Sequence, residues 1–92
     1  MNSLQQYINR VISDRRLNLF HVSLSLALCD GWVNNDFSSF QVSRRRLMRA
    51  ARIRSKTTYH KTIQDLQRLG YIDYKPSYHP LLGSTILIKQ PV

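Results

Sequence analysis

The chain has 92 residues, with 14 Lys and Arg against 5 acidic residues and a formal net charge of +9. A chain of this length holds one small domain that buries only about 60% of the surface its unfolded form exposes, which excludes a multi-domain enzyme with a deep cleft. Hydrophobic residues at 42% and aromatic residues at 10% describe a folded domain rather than a disordered basic tail, and the excess charge points to an anionic partner.

From the start of the chain, Leu4, Tyr7, Ile8, Val11 and Ile12 recur at intervals of three and four, which predicts a short helix over 3–12 with Ser3 as its N-cap. The block Leu17 to Trp32 fits both a strand alternation (Phe20, Val22, Leu24, Leu26, Leu28) and a helical face (Leu17, Phe20, Leu24, Ala27, Leu28). Sixteen residues exceed ordinary strand length, so a central buried helix is expected from Asn18 to about Trp32, apolar on most sides. Asp30-Gly31 and Asn34-Asn35-Asp36 break the pattern, and Phe37 to Val42 reads as an exposed connector or short strand anchored by Phe37 and Phe40.

Ser43 then offers an N-cap to a helix from Arg44 to about Arg52, whose apolar face is Leu47, Met48, Ala50 and Ala51. After the turn Arg52-Ile53-Arg54, Ser55 caps again. Lys56 to Leu69 carries Tyr59, Ile63, Leu66 and Leu69 as a core-facing stripe and leaves Lys56, Thr57, His60, Lys61, Gln64 and Arg68 outward, with Gly70 in the position of a left-handed C-terminal cap. Tyr71 to Lys75 and Ser84 to Lys89 alternate as strands around a Pro- and Gly-punctuated loop, 76–83. The fold class expected is mainly α with a C-terminal β-hairpin, in a single domain.

Eight of the fourteen basic residues lie between Arg44 and Lys61 with no acid among them. A merely solvated helix face mixes signs, because like charges at i,i+3 and i,i+4 repel, as Arg45 and Arg49 would. A polyanion, with nucleic acid first, offsets that repulsion. Other chemistry is poorly served. There is no Glu, the five acids are isolated Asp residues, and Cys29 is the lone cysteine, which suits a core filler. His21, His60 and His79 fall on separate elements, so no metal or cofactor is predicted. No apolar run approaches the ~18 residues of a membrane span, and the first residues lack the order of a secretory signal, so a cytoplasmic protein is expected, nucleoid-associated if its anionic partner is DNA.

Two short helices joined by a tight turn and followed by a hairpin form the pattern of a winged helix-turn-helix. The sequence resembles the small bacterial winged helix-turn-helix proteins of phages, plasmids and conjugative elements, replication-organiser N-terminal domains and transcriptional regulators among them. The resemblance covers roughly residues 20–88. It rests on Arg46-Leu47-Met48, on Ile53 with Ser55 and Thr58, and on the string Ile63-Gln64-Asp65-Leu66-Gln67-Arg68-Leu69-Gly70-Tyr71-Ile72. It departs from the pattern at Arg52, where the turn usually holds Gly, and in an interval from Ile53 to Tyr59 that is one residue longer than common. The resemblance implies double-stranded DNA as the partner, no catalysis, and a role in transcription, replication or excision of a mobile element. It also leaves the helix within 1–15 surplus to a three-helix core, so that its apolar edge is the expected homodimer contact.

The residues assigned to DNA follow from position. Arg44, Arg45 and Arg49 are expected to contact phosphates, as are Ser55, Lys56 and Thr57, where helix-terminal amides already favour an anion, and Arg54 joins them as a DNA-binding residue. His60, Lys61 and Gln64 lie one and two turns into the second helix; Gln64 can pair with an adenine edge and Lys61 with guanine or a phosphate. Arg46 packs its stem along the body of the fold. Lys75 and His79 would reach the backbone or minor groove from the wing, and Leu81-Leu82 at its tip are candidate partner contacts. His21 reads as a core or capping histidine. Two readings compete: an RNA-binding winged helix, and a protein-interaction module within a nucleoprotein complex.

Overall fold

The computed structural model describes residues 3–77 and 83–90. Four helices and a three-stranded antiparallel sheet follow in the order α1 (Ser3–Ser13), α2 (Leu19–Asn34), β1 (Phe40–Val42), α3 (Arg44–Ala50), α4 (Lys56–Arg68), β2 (Ile72–Lys75) and β3 (Ser84–Ile88). No helix among the described residues is long and apolar enough to cross a membrane.

α1 is not surplus. Tyr7 and Val11 are buried, Leu4 and Ile8 are half-buried, and Ser3 is the first helical residue rather than a cap outside it. The Tyr7 ring meets Trp32 of α2 and Tyr71 at 5.9 Å each, and its hydroxyl donates to the Tyr71 carbonyl at 3.3 Å. Arg10 lies 4.0 Å over the Tyr71 ring and donates to the Leu69 carbonyl, while the Tyr71 hydroxyl donates to Asp14 at 2.8 Å. A cation stacked on an aromatic face is favourable by about 0.5–2 kcal/mol depending on its hydration. Arg10 therefore serves the fold, and Arg16 is held by Asp14 at 2.6 Å.

α2 runs through Asp30-Gly31 to Asn34, two residues beyond the expected end. Gly31 is tolerated inside the helix because the Phe40 ring occupies its side: a Cβ there would stand 2.6 Å from Phe40 Cε2. Gly31→Ala is expected to lower the urea midpoint at unchanged m. Overpacking costs about 1–3 kcal/mol, against about 1 kcal/mol gained in helix propensity. A raised midpoint would contradict this packing.

The connector becomes β1, so the expected two-stranded hairpin is a three-stranded sheet in the order β1-β3-β2. Phe40 stands opposite Ile86, and Ile72 opposite Ile88. Phe40, Ile72, Ile86 and Ile88 turn inward with the period of two that a sheet imposes, while Leu87 faces out. β2 and β3 begin and end within one residue of the predicted strands.

Three helices end in the same way, with the next residue but one after the helix in the left-handed region. After α4 that residue is Gly70 (φ 83°), with Tyr71 N–H donating to the Leu66 carbonyl at 2.8 Å. After α3 it is Arg52 (φ 60°), with Ile53 N–H donating to Met48 at 2.9 Å; after α2 it is Asp36 (φ 55°), with Phe37 N–H donating to Trp32 at 2.9 Å. Each is the paired 6→1 and 5→2 arrangement that satisfies the last carbonyls and reverses the chain sharply. The α3–α4 turn owes its tightness to Arg52 in this position.

Candidate nucleic-acid interface

Two short capped helices set the site. The Ser43 hydroxyl accepts from Arg46 N–H at the start of α3, and the Ser55 hydroxyl accepts from Thr58 N–H at 3.2 Å at the start of α4, as their places in the sequence require. α4 turns Tyr59, Thr62, Ile63 and Leu66 into the core. Tyr59 is fully buried, and burial pushes its hydroxyl up to about 12. The outward side chains are then those the periodicity assigns: Lys56, Thr57, His60, Lys61, Gln64 and Arg68 are all exposed.

α3 seats itself by Leu47 with Ala51 just beyond it, and by half-buried Met48. Ala50 is exposed and does not belong to the apolar face expected of it, because the helix is only seven residues long and packs on α2 along one edge. The other edge is cationic. Arg44, Arg45, Arg49, Arg54 and Lys56 surround a groove of about 420 Å³ floored by Met48 and Ile53. No acid lines it, and among the described residues no ion pair engages any of these five cations. Cations so arranged repel one another, and an anion seated among them relieves that repulsion. Arg46 lies off this face, beside Phe40, Val42 and Leu47, and is exposed.

A second groove opens on the far side of the turn, lined by Phe20, Arg52, Ile53, Arg54, Ser55 and Thr58. Phe20 is 42% exposed and is not the core residue predicted. It stands beside Arg54 and Ser55 at the start of α4. Arg52 and Phe20 belong to this surface although sequence reasoning left both out of it. Arg52 is recognisable from the charge run; Phe20 is masked by a helix apolar on most sides. Lys75 is exposed on the edge strand β2, and His79, Leu81 and Leu82 lie outside the described residues.

Asp65 is the acid on α4, and its charge is engaged locally. Asn18 N–H donates to His21 Nδ1 at 2.9 Å, so the ring proton sits on Nε2, which donates to Asp65 Oδ2 at 2.9 Å. The Asn18 side chain accepts from His21 N–H in return, so His21 is a capping histidine that also ties α2 to α4. Its hydrogen bond, together with Arg68 at 3.3 Å, holds the Asp65 carboxyl below its usual range. Arg16 and the Tyr71 hydroxyl hold Asp14 well below it in the same way. A carboxyl with a depressed folded pKa stabilises the fold above its unfolded pKa, near 3.9, and that contribution is lost as pH falls through the folded value. The melting temperature is thus expected to drop in acid below about pH 4. Asp14→Asn with Asp65→Asn starts lower at pH 6 and loses less on acidification. Parallel melting curves against pH for parent and double variant would contradict the assignment.

Among the described residues no group of three His, Cys, Asp or Glu side chains comes together as a metal site. Comparison of the chain with protein-family models, with curated proteins and with solved structures finds no match in any of the three.

Proposed function

We propose that the chain binds double-stranded DNA with sequence selectivity as a winged helix-turn-helix. α3 and α4 form the helix-turn-helix, α4 enters the major groove, and the β2–β3 hairpin is the wing. The role that fits is a regulator or accessory factor in transcription, replication or excision of a mobile element, without catalysis. The observation that carries this reading is the acid-free groove of Arg44, Arg45, Arg49, Arg54 and Lys56 at the N-terminal end of α4, the helix whose following two turns leave His60, Lys61 and Gln64 exposed. Phosphate contacts supply affinity and register, while the polar side chains one and two turns into α4 read base edges.

Anisotropy of a labelled duplex titrated with the full chain tests it. If about five phosphates are neutralised, log K falls against log salt with a slope of roughly −4 to −5. A slope near zero, or equal competition by single-stranded RNA, would reject the reading. Selection of bound fragments from a random duplex pool at ~0.15 M salt then gives the target sequence.

A further inference from the structure

α2 is apolar on most sides, but the fold covers only part of it. Leu19, Val22, Leu26, Cys29 and Val33 recur at alternating intervals of three and four, the spacing at which two helices interlock side chain between side chains. Within that row Leu19 is 78%, Leu26 51% and Val33 40% exposed. Single exposed leucines are ordinary, but these are aligned, and Ile12 of α1, at 71% exposed, stands beside them. A groove of about 240 Å³ runs between α1 and α2, walled by Ile8, Val11, Ile12, Val22, Leu26 and Cys29. No cation lines it, so it offers an anion nothing.

We propose that this face seats a second copy of the chain, with the two α2 helices antiparallel about a two-fold axis at Leu26. Leu26 is the midpoint of the row, seven residues from both Leu19 and Val33. An antiparallel pair therefore sets Leu26 against Leu26 and Leu19 against Val33, the self-complementary arrangement of a closed dimer. The charges choose the same direction. Asp30 and Asp36 mark the C-terminal end of α2, while at its N-terminal end Arg16 is paired with Asp14 and Arg15 supplies the net positive charge. Antiparallel packing brings the acidic end of one copy to the basic end of the other and opposes the helix dipoles, whereas parallel packing sets like against like. Two chains of +9 repel, and the lining of the groove on this side carries no cation. The expected dimer contact thus moves from the edge of α1, whose Tyr7 and Val11 are buried within the fold, to the open row of α2 with Ile12 beside it.

The proposal does not depend on DNA, and its test omits DNA, so it and the binding reading fail separately. Sedimentation of the full chain from micromolar to millimolar concentration is expected to show a monomer–dimer equilibrium. Leu26→Asp, which sets two carboxylates against each other at the axis, should weaken it on the order of a hundredfold or more. Leu87→Asp, on the outer face of β3, should leave it unchanged. Should Leu26→Asp lose its circular dichroism, Val33→Lys provides the same measurement at a more peripheral position. Under mild oxidation Leu26→Cys is expected to cross-link to itself, whereas Val33→Cys cross-links only when mixed with Leu19→Cys. Cys29 stays out of this exchange, being buried with its thiol pushed up to about 11. A chain that stays monomeric throughout, a Leu26→Asp variant that associates like the parent, or self-linking of Val33→Cys as readily as of Leu26→Cys would overturn the proposal.

Discussion

A chain with Arg45, Arg49 and Lys56 all changed to alanine is expected to lose on the order of a hundredfold in affinity for duplex DNA at ~0.15 M salt. Each neutralised phosphate contributes about 0.9 to the salt slope and, at that ionic strength, about fivefold in binding. Removing three of the five groove cations should therefore flatten the slope by roughly 2.7. Loss of affinity without flattening would mean that the three side chains do not contact phosphate. The variant should fold like the parent, because all three side chains are exposed and none is ion-paired among the described residues. Surface substitutions of this kind change stability by about 0.5 kcal/mol or less each, and relief of mutual repulsion offsets part of that. Gln64→Ala should behave differently, altering the preferred sequence while leaving the salt slope in place.

Tyr7→Ala has the largest effect expected on folding. The ring is fully buried, contacts Trp32 and Tyr71, and donates a hydrogen bond to the Tyr71 carbonyl. Truncating a buried aromatic costs about 3–5 kcal/mol, and a domain of this size has total stability of only about 5–10 kcal/mol. Denaturant melts should show most of the stability gone, with a substantial unfolded fraction at 37 °C. Tyr7→Phe, which keeps the ring and removes one hydrogen bond, should cost only about 1 kcal/mol. If Tyr7→Ala melted within a degree or two of the parent, α1 would be an appendage after all.

The contrast between these two regions explains how much of the molecule is legible in its residue order. α4 is legible because a one-sided helix writes its orientation into the spacing of Tyr59, Ile63 and Leu66, and its cap and stop are local chemistry at Ser55 and Gly70. The cationic groove is legible for the same reason, since Arg44 to Lys56 are near neighbours along the chain. α1 is harder. Its helix is written in the spacing, but the partners that bury Tyr7 lie at Trp32 and Tyr71, and nothing local announces a contact across 64 residues. The extent of α2 is hidden likewise, because Gly31 looks like a terminator until Phe40 is seen to occupy the space beside it. A helix apolar on most sides also gives little sign of which side stays open, which is why Phe20 reads as core. Arg10 reads as part of the charge excess until its guanidinium is found against Tyr71.

The left-handed Arg52 sets stability and charge against each other at a single position. An L-residue with a Cβ is strained there by about 1–2 kcal/mol, and glycine, as at Gly70, is not. The turn thus holds a guanidinium at its tip at a cost in stability, and selection for heat resistance would drive this codon toward glycine. Selection for a grip on an anion would hold it at arginine. Among related chains the residue at this position should then vary with growth temperature and with the charge of the surrounding groove together, rather than with either alone.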